Sequence, residues 1–119
     1  MLVVDDEPGV LQFARTCLER CGCTVTSVSD PCVAEALFTA APDAFDAVVT
    51  DLTMPGLSGW GLRQRLHAIR GDVPIVLVSG NPGPLTADAV LAQGFAAFVH
   101  KPYRPATLCA AVVGAAGGS

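Results

Sequence analysis

The sequence of 119 residues is poor in charged side chains, which make up 15% of it, and one lysine stands among its seven basic residues. The net charge is −4 and no basic stripe is present, which argues against binding to nucleic acid by electrostatic attraction. An intrinsically disordered segment is also excluded, because 51% of the residues are hydrophobic. We therefore expect one folded domain that does not bind nucleic acid directly.

Long apolar runs are also missing. No stretch approaches the roughly 18 residues that a membrane-spanning helix needs. The longest runs, such as Ile75 to Val78, have the length of β-strands. The first residues include no basic segment, and acidic side chains follow at Asp5 and Asp6, so a signal peptide is not expected. These absences predict a protein without membrane insertion and a cytoplasmic location.

The five cysteines are an odd number, which fits reduced thiols better than a framework of disulfide bonds. Cys21-Gly22-Cys23 has the close spacing of a metal-binding pair, but four ligands at the spacing of a zinc site are missing. His67 and His100 lie far away in the sequence. We expect the cysteines to be buried or spectator thiols that behave as small apolar side chains.

Short apolar runs alternate with longer amphipathic stretches along the chain. The short runs predict five strands, at residues 2–4, 24–28, 47–50, 74–78 and 95–99. Apolar side chains at helical spacing predict five helices, at residues 8–21, 31–40, 59–69, 84–93 and 105–113. Five βα units predict one α/β domain over residues 1–113, with a doubly wound parallel sheet in strand order 2-1-3-4-5. Residues 114–119 are predicted to be a Gly-rich tail or linker end.

Polar side chains follow four of the five predicted strands. Asp5 and Asp6 follow the first strand, Asp51 the third, Ser79 the fourth and Lys101 the fifth. The carboxyl ends of parallel strands meet at one edge of such a sheet, and ligands bind there. Taken singly, each residue is also explained as a helix cap, a turn residue or a solvated cation. Their shared position, with the single lysine among them, favours a functional site.

The chemistry of these side chains narrows the possibilities. Three converging carboxylates repel one another unless one is protonated or a cation binds. Mg²⁺ suits such a site, because it takes one or two carboxylates, keeps several waters and accepts phosphate oxygens. An aspartate carboxylate is also a nucleophile toward phosphorus, and a lysine, a hydroxyl and the metal would neutralise charge on the transferred group. The set therefore points to Mg²⁺-dependent phosphoryl transfer to an aspartate.

Four motifs in order resemble the receiver domain of two-component response regulators. They are Val3-Val4-Asp5-Asp6-Glu7-Pro8, then Thr50-Asp51-Leu52-Thr53-Met54-Pro55-Gly56 with Gly59, then Val78-Ser79-Gly80, then Lys101-Pro102-Tyr103. Each piece alone is weak, but the ordered combination is highly specific and covers nearly the whole chain. The resemblance implies a flavodoxin-like fold. It also implies a signalling module that assists its own phosphorylation and dephosphorylation and is not an enzyme.

The resemblance assigns roles to the acidic residues. It implies that Asp51 is the phosphoacceptor. It further implies that Asp6, Asp51 and the backbone carbonyl of Thr53 hold Mg²⁺, with Asp5 acting through water.

The resemblance also assigns roles to residues on the fourth and fifth strands. Ser79 and Lys101 would bind the phosphoryl oxygens, and the bond between Lys101 and Pro102 would be a cis peptide in a held loop. Ser79 and Phe98 would form the conformational switch. Phe98 has no hydroxyl group, so a hydrogen bond of the kind that a switch tyrosine makes is not available here.

The expected partner is a histidine kinase or a histidine phosphotransfer domain, which supplies the phosphoryl group. Residues 42–51, together with Ser79-Gly80-Asn81, resemble receivers that are fused to hybrid histidine kinases. A monomer is favoured, because the last predicted helix carries no charge after Arg104 and cannot form a dimer by ion pairs.

Three alternatives stay open at this point. A phosphatase similar to the haloacid dehalogenases would need an aspartate where Thr53 stands, a first-strand nucleophile and a cap domain. A flavodoxin-like cofactor carrier would need a phosphate-binding first loop, and Asp5-Asp6-Glu7 would repel phosphate. A degenerate receiver that only docks would not accept phosphate, so acetyl phosphate with Mg²⁺ distinguishes it.

Overall fold

The computed structural model describes residues 1–52, 56–80, 87–101 and 103–117. Within these residues five strands form one parallel sheet: β1 (Leu2–Val4), β2 (Thr26–Val28), β3 (Val48–Asp51), β4 (Ile75–Ser79) and β5 (Ala97–His100). The strand order is β2-β1-β3-β4-β5, as predicted. β1 pairs with β2 and β3, so its carboxyl end lies beside that of β3.

Helices cover both faces of this sheet. They are α1 (Pro8–Arg20), α2 (Pro31–Ala40), α3 (Gly59–Ile69), α4 (Ala87–Ala92) and α5 (Pro105–Gly117), and a short 3₁₀ turn spans Pro42–Ala44. α2, α3 and α4 pack on one face, while α1 and α5 pack on the other. The predicted α/β fold with a doubly wound parallel sheet is therefore confirmed.

The core consists of two apolar layers, one on each side of the sheet. Alternate residues of the strands supply both layers, as the two-residue period of a strand requires. In β1, Leu2 and Val4 face the layer of α2, α3 and α4, whereas Val3 faces the layer of α1 and α5. All five residues of β4 are buried, which explains why this strand is continuously apolar up to Ser79.

Side-chain caps fix the starts of two helices. The Asp30 side chain accepts a hydrogen bond of 2.8 Å from the backbone N–H of Cys32, and Pro31 opens α2. The Ser58 hydroxyl accepts one of 3.2 Å from the N–H of Gly61, which caps α3 directly after the loop that follows β3. This cap anchors the end of that loop close to Asp51.

Some predicted boundaries differ from the structure. α5 continues to Gly117, so the predicted tail is helical at its start, because Ala115 and Ala116 pack against the layer of α1 and α5. β2 begins at Thr26 rather than Thr24, since β1 offers only three residues for pairing. β5 begins at Ala97, and Phe95 packs edge-on against Trp60 instead. Residues 84–86 of the predicted fourth helix lie outside the described residues.

No helix in the described ranges is both long enough and apolar enough to cross a membrane.

Candidate functional site

Four strand ends deliver polar side chains to one edge of the sheet. Asp51 is the last residue of β3 and Ser79 the last of β4, while Asp5 and Lys101 directly follow β1 and β5. Asp6 comes next after Asp5. Because β1 and β3 are neighbours, the acidic residues that follow β1 lie beside Asp51. The structure thus places these five predicted site residues at the same edge.

The three carboxylates converge. One carboxylate oxygen each from Asp5, Asp6 and Asp51 lies within 4.8 Å of the other two. Asp5 is 5% exposed, the Asp51 side chain is 12% exposed, and Asp6 is the most exposed of the three. The cluster therefore reaches from the protein interior to solvent, and a small ion or a phosphoryl group has access to it from one side.

Lys101 contacts two of these carboxylates. Its Nζ donates a hydrogen bond of 2.8 Å to Asp5 Oδ2 and lies 3.3 Å from Asp51 Oδ1. The Lys101 side chain is only 17% exposed, so solvent screens these ion pairs less than it screens surface pairs. The single lysine of the chain therefore binds at the centre of the acidic cluster.

Backbone hydrogen bonds hold the loops that carry these side chains. The N–H of Glu7 donates to Asp5 Oδ1 at 3.0 Å, which fixes the orientation of that carboxylate at the start of α1. The N–H of Leu52 donates to the carbonyl of Val78, and the N–H of Lys101 donates to the carbonyl of Ser79. Each loop thus leaves its strand in a fixed direction.

Within the acidic cluster, the surroundings of Asp51 and Lys101 shift the pKa values of both side chains. Burial raises the pKa of Asp51, and the nearby Asp5 carboxylate raises it further, although the Lys101 ammonium acts in the opposite direction. Burial by itself would lower the pKa of Lys101, but its hydrogen bonds and ion pairs with Asp5 and Asp51 outweigh burial and raise it. At neutral pH Lys101 is therefore charged, and it offsets only part of the acidic charge.

The donor set fits a hard divalent cation. Mg²⁺ prefers oxygen ligands and usually binds through one or two carboxylates together with waters. Among the described residues, Asp5, Asp6 and Asp51 are the one group of three or more potential ligands whose donor atoms converge. Their partial exposure leaves room for water ligands. Thr53, whose carbonyl was predicted as a further ligand, lies outside the described residues.

Gly59 brings α3 unusually close to the site. A Cβ atom at this position would lie 2.6 Å from the carbonyl oxygen of Asp51 and 3.1 Å from Cα of Leu52. The N–H of Gly59 also donates to the carbonyl of Leu52 at 2.8 Å. Only glycine permits this close approach of backbones. Gly59 belongs to the predicted motif, and the structure supplies its physical reason.

The two predicted switch residues lie on one face of the sheet. Leu77 pairs in register with Phe98, and Ser79 is two residues beyond Leu77 and therefore points to the same side. Ser79 is 4% exposed, and Phe98 is partly buried against the layer of α2, α3 and α4. The Phe98 ring lies 4.7 Å from the ring of His100. Pro102 lies outside the described residues.

Tyr103 lies next to the site, and the sequence analysis assigned it no role of its own. Its ring lies 5.7 Å from that of Phe13 on α1. Burial, with smaller effects from Cys17 and Asp5, raises its pKa to about 12. Tyr103 and Lys101 line a cavity of about 560 Å³ beside the acidic cluster, together with Gly9, Val10, Phe13 and Gly80. The sequence feature that could have identified Tyr103 is its place in the same motif as Lys101.

A doubly wound sheet of this order, with an acidic cluster and one lysine at its carboxyl edge, defines the class of phosphorelay receivers. The model of the response regulator receiver domain family matches residues 1–113, and the chain belongs to this family. Receiver domains of this family are signalling modules in two-component systems, and accepting a phosphoryl group is their general function.

Curated relatives are longer proteins. The chain is 32% identical over 108 residues to the two-component response regulator ARR14 of Arabidopsis thaliana, which covers 91% of this chain and 28% of that protein. It is 33% identical over 104 residues to the C4-dicarboxylate transport transcriptional regulatory protein DctD of Pseudomonas aeruginosa, covering 87% of this chain and 22% of that protein. The chain thus spans less than a third of the length of these two relatives.

Solved structures agree with the fold. A response regulator receiver domain protein from Clostridium thermocellum superposes with a TM-score of 0.91 at 27% identity, covering 98% of this chain and 93% of that one. The receiver domain of NtrX from Brucella abortus superposes with a TM-score of 0.88 at 26% identity, covering 99% and 98%.

Proposed function

We propose that this domain accepts a phosphoryl group on Asp51 from the phosphohistidine of a histidine kinase or a histidine phosphotransfer domain. The observation that carries the proposal is the position of Asp51 between two further carboxylates and the ammonium of Lys101. Family membership supports it as well. The transferred signal then passes to a partner or to an attached domain, in a cytoplasmic setting.

The chemistry assigned to Asp51 is nucleophilic. One oxygen of its carboxylate attacks phosphorus, the bond from phosphorus to the imidazole nitrogen breaks, and the imidazole leaves with the bonding electrons. Burial and Asp5 raise the pKa of Asp51, so its carboxylate is more basic than a solvated one and holds a stronger attacking lone pair. The Asp51 side chain is nevertheless still 12% exposed, which leaves the donor access to it.

Lys101 and Ser79 are proposed to bind the oxygens of the transferred group. The Lys101 ammonium is 3.3 Å from Asp51 and carries three donors, so it can turn from the carboxylate to a phosphoryl oxygen. Ser79 is the last residue of the neighbouring strand β4, and its hydroxyl would donate a hydrogen bond to another phosphoryl oxygen. These groups neutralise negative charge that builds up near Asp5 and Asp6 during transfer.

Mg²⁺ is proposed to bind to Asp6, Asp51 and the carbonyl of Thr53, with Asp5 acting through water. When bound, the ion supplies positive charge that offsets the repulsion between the carboxylates and the phosphoryl oxygens. Asp6 is the most exposed of the three carboxylates and accepts no hydrogen bond from Lys101, so it is the carboxylate most free to bind the ion.

Binding of the ion is tested without phosphorylation. Mg²⁺ should raise the melting temperature of the wild-type protein, because it binds the folded state and relieves repulsion. It should raise that of Asp6→Ala much less, whereas the exposed Asp43→Ala variant should respond like the wild type. Equal stabilisation of Asp6→Ala and wild type would contradict the assignment of the ligands.

The phosphoacceptor is tested with a small donor. We expect acetyl phosphate with Mg²⁺ to add one phosphate to the wild-type chain, as detected by intact-mass spectrometry. Asp51→Asn should take up none, and Asp43→Asn, which changes an exposed aspartate in the 3₁₀ turn, should be modified like the wild type. Equal modification of Asp51→Asn would refute the assignment. A wild-type chain that takes no phosphate would favour the docking-only alternative.

A further inference from the structure

His100, the last residue of β5, lies next to both residues of the predicted switch. It pairs in register with Ser79 on β4, and Phe98 precedes it by two residues on its own strand. Because side chains alternate along a strand, Ser79, Phe98 and His100 point to the same face of the sheet. His100 is thus the neighbour of Ser79 across the sheet and of Phe98 along the strand.

The rings of His100 and Phe98 are in contact. Their centroids lie 4.7 Å apart, and their planes are inclined at 59°. Aromatic pairs prefer offset or tilted arrangements at roughly 4.5–7 Å between centroids, and such a pair gains attraction beyond the area that it buries. Among the described aromatic rings, His100 is the one that lies against Phe98. The contact therefore stabilises the ring orientation that Phe98 has in this structure.

The two rings differ in their exposure to solvent. His100 is exposed, whereas Phe98 is partly buried against the layer of α2, α3 and α4. An imidazole suits this position, because its carbon atoms pack on an apolar ring while its nitrogen atoms stay in water. His100 therefore packs on Phe98 from the solvent side.

Two opposing effects act on the orientation of Phe98. A turn into the space beside Ser79 would bury more of the ring, which the hydrophobic effect favours. The same turn would change the side-chain rotamer and move the ring away from its present contacts, so the pair with His100 would be lost. Phe98 has no hydroxyl group that could replace this pair with a hydrogen bond. The contact with His100 therefore opposes the inward turn.

We propose that His100 is a positioning residue of the switch, which holds the Phe98 ring in its outward orientation in the unphosphorylated domain. The ring contact sets how often Phe98 turns inward before any phosphoryl group is present. This inference rests on the proposed function, because the orientation of Phe98 carries a signal only if Asp51 is phosphorylated.

Phosphorylation would act on the same balance. A move of the Ser79 hydroxyl toward a phosphoryl oxygen enlarges the space beside it, so the inward orientation of Phe98 becomes more favourable. The contact with His100 favours the outward orientation in both states. His100 consequently determines how large a shift phosphorylation has to produce before the inward orientation is the more populated one.

The test measures the Phe98 ring in the unphosphorylated 119-residue chain by relaxation-dispersion NMR with isotope-labelled phenylalanine. His100→Ala and His100→Val both remove the ring, and valine keeps the β-branched shape that favours a strand. Both should raise the ratio of inward to outward orientations roughly two- to tenfold, as the strength of an aromatic pair implies. His100→Phe keeps a ring and should remain within about twofold of the wild type.

Thr26→Ala is the matched control, because Thr26 is also exposed on an edge strand but lies in β2, at the opposite edge of the sheet. It should leave the ratio unchanged, and circular dichroism establishes that each variant is folded. A wild-type ratio in folded His100→Ala and His100→Val would overturn the proposal. So would a His100→Phe variant that behaves like His100→Ala, or a single ring orientation in the wild type and every variant.

Phosphorylation is measured separately, so that the two proposals fail independently. Acetyl phosphate with Mg²⁺ should add one phosphate to the wild type and to each His100 variant, because His100 is not part of the acidic cluster. A wild-type chain that takes up no phosphate but shows the expected ratios would contradict the proposed function and still support the role of His100 in positioning the ring. Normal phosphorylation with unchanged ratios would overturn the inference about His100 alone.

Discussion

Lys101 is the residue on which the charge balance of the site depends. It contacts Asp5 and Asp51 at once, so one positive charge faces three carboxylates when Asp6 is included. The remaining negative charge is what a divalent cation would neutralise. The same imbalance makes the carboxylates costly to the folded state in the absence of a cation. Functional sites often carry such a cost, and it is measurable as stability.

Replacing Asp51 by asparagine should stabilise the protein at neutral pH without Mg²⁺. Because burial and Asp5 raise the pKa of Asp51, its contribution to stability is most favourable below the ordinary pKa of aspartate and is lost as the pH rises through the raised value. Asp51→Asn should therefore exceed the wild type at pH 7 by about 1 kcal/mol, a usual size for a single substitution. Urea unfolding at several pH values measures the difference.

That difference should shrink toward pH 3, where the wild-type carboxyl is protonated and resembles the amide. Asp43→Asn, which alters an exposed aspartate, serves as the control and should show no such convergence. A variant that is less stable than the wild type at pH 7, or a gap that widens in acid, would contradict the assigned cause of the pKa shift.

At the scale of the elements, the first turn of α3 determines how closely this helix approaches the acidic cluster. The Ser58 cap and the hydrogen bond from Gly59 to Leu52 fix the first turn of α3 against the end of β3. Gly59 is buried at this contact, where its backbone meets that of Asp51 and Leu52. These contacts therefore hold the start of α3 against the end of β3.

Gly59→Ala should disturb both stability and the site. The added Cβ would meet the carbonyl oxygen of Asp51 at 2.6 Å and Leu77 Cδ1 at 2.9 Å, so α3 or the end of β3 must shift. We expect a loss of about 1–3 kcal/mol, the usual range for overpacking, and slower phosphorylation by acetyl phosphate. Chemical denaturation and intact-mass time courses measure the two effects.

Gly9→Ala is the matched control, because Gly9 also lies in the first turn of a helix and a Cβ there would meet nothing within 4 Å. This variant should be neutral or more stable by up to about 1 kcal/mol, since alanine favours helix. If both variants lose stability equally, helix propensity rather than the contact with Asp51 explains the result.

At the scale of the whole molecule, the exposed apolar side chains do not form one continuous patch. The exposed large apolar side chains in the described residues are distributed over all five helices: Phe13, Val33, Leu37, Ile69, Leu91 and Val113. Scattered exposed apolar side chains are normal on monomers, whereas an obligate interface needs a continuous patch. The described part of α5 also carries no charged side chain that could form ion pairs across a dimer.

We therefore expect the unphosphorylated and the phosphorylated chain to be monomers. Light scattering at several concentrations, with and without acetyl phosphate and Mg²⁺, measures the mass. Arg104→Glu should leave the mass unchanged in both states, because no charged interface is expected near α5. A dimer that forms on phosphorylation and is abolished by Arg104→Glu would show that this expectation is wrong.

The switch proposed for Ser79 and Phe98 also belongs to the scale of the whole molecule. Ser79 has no γ-methyl group and is buried on the same face as Phe98, so space remains for the ring to turn inward before phosphorylation. We expect a population shift between two ring orientations, with a coupling at or below roughly 1–3 kcal/mol. Ser79→Thr should lower the inward population of the unphosphorylated protein.

Relaxation-dispersion NMR on the Phe98 ring measures this exchange. Ser27→Thr on β2, at the far edge of the sheet, is the control and should leave the exchange unchanged. A single outward orientation that Ser79→Thr does not alter would rule out the soft switch.

The sequence by itself determined the order of elements and the residues at the strand ends. Apolar periodicity and caps such as Asp30 act within a few neighbouring residues, so these patterns predicted the parallel sheet and the positions of Asp5, Asp51 and Lys101. Boundaries were less accurate where packing competes with local preference. α5 runs through Gly114 because the alanines that follow it pack against α1, which a local pattern does not reveal.

Only the tertiary structure decided which side chains touch. Lys101 and Asp5 are 96 positions apart, yet their atoms lie 2.8 Å from each other. Cys109 likewise reaches the carbonyl of Cys17 across 92 positions. Such distances depend on how every helix packs on the sheet at once, and the spacing of residues along the chain contains no measure of them. The sequence therefore identified the acidic edge but did not predict that Cys109 contacts Cys17.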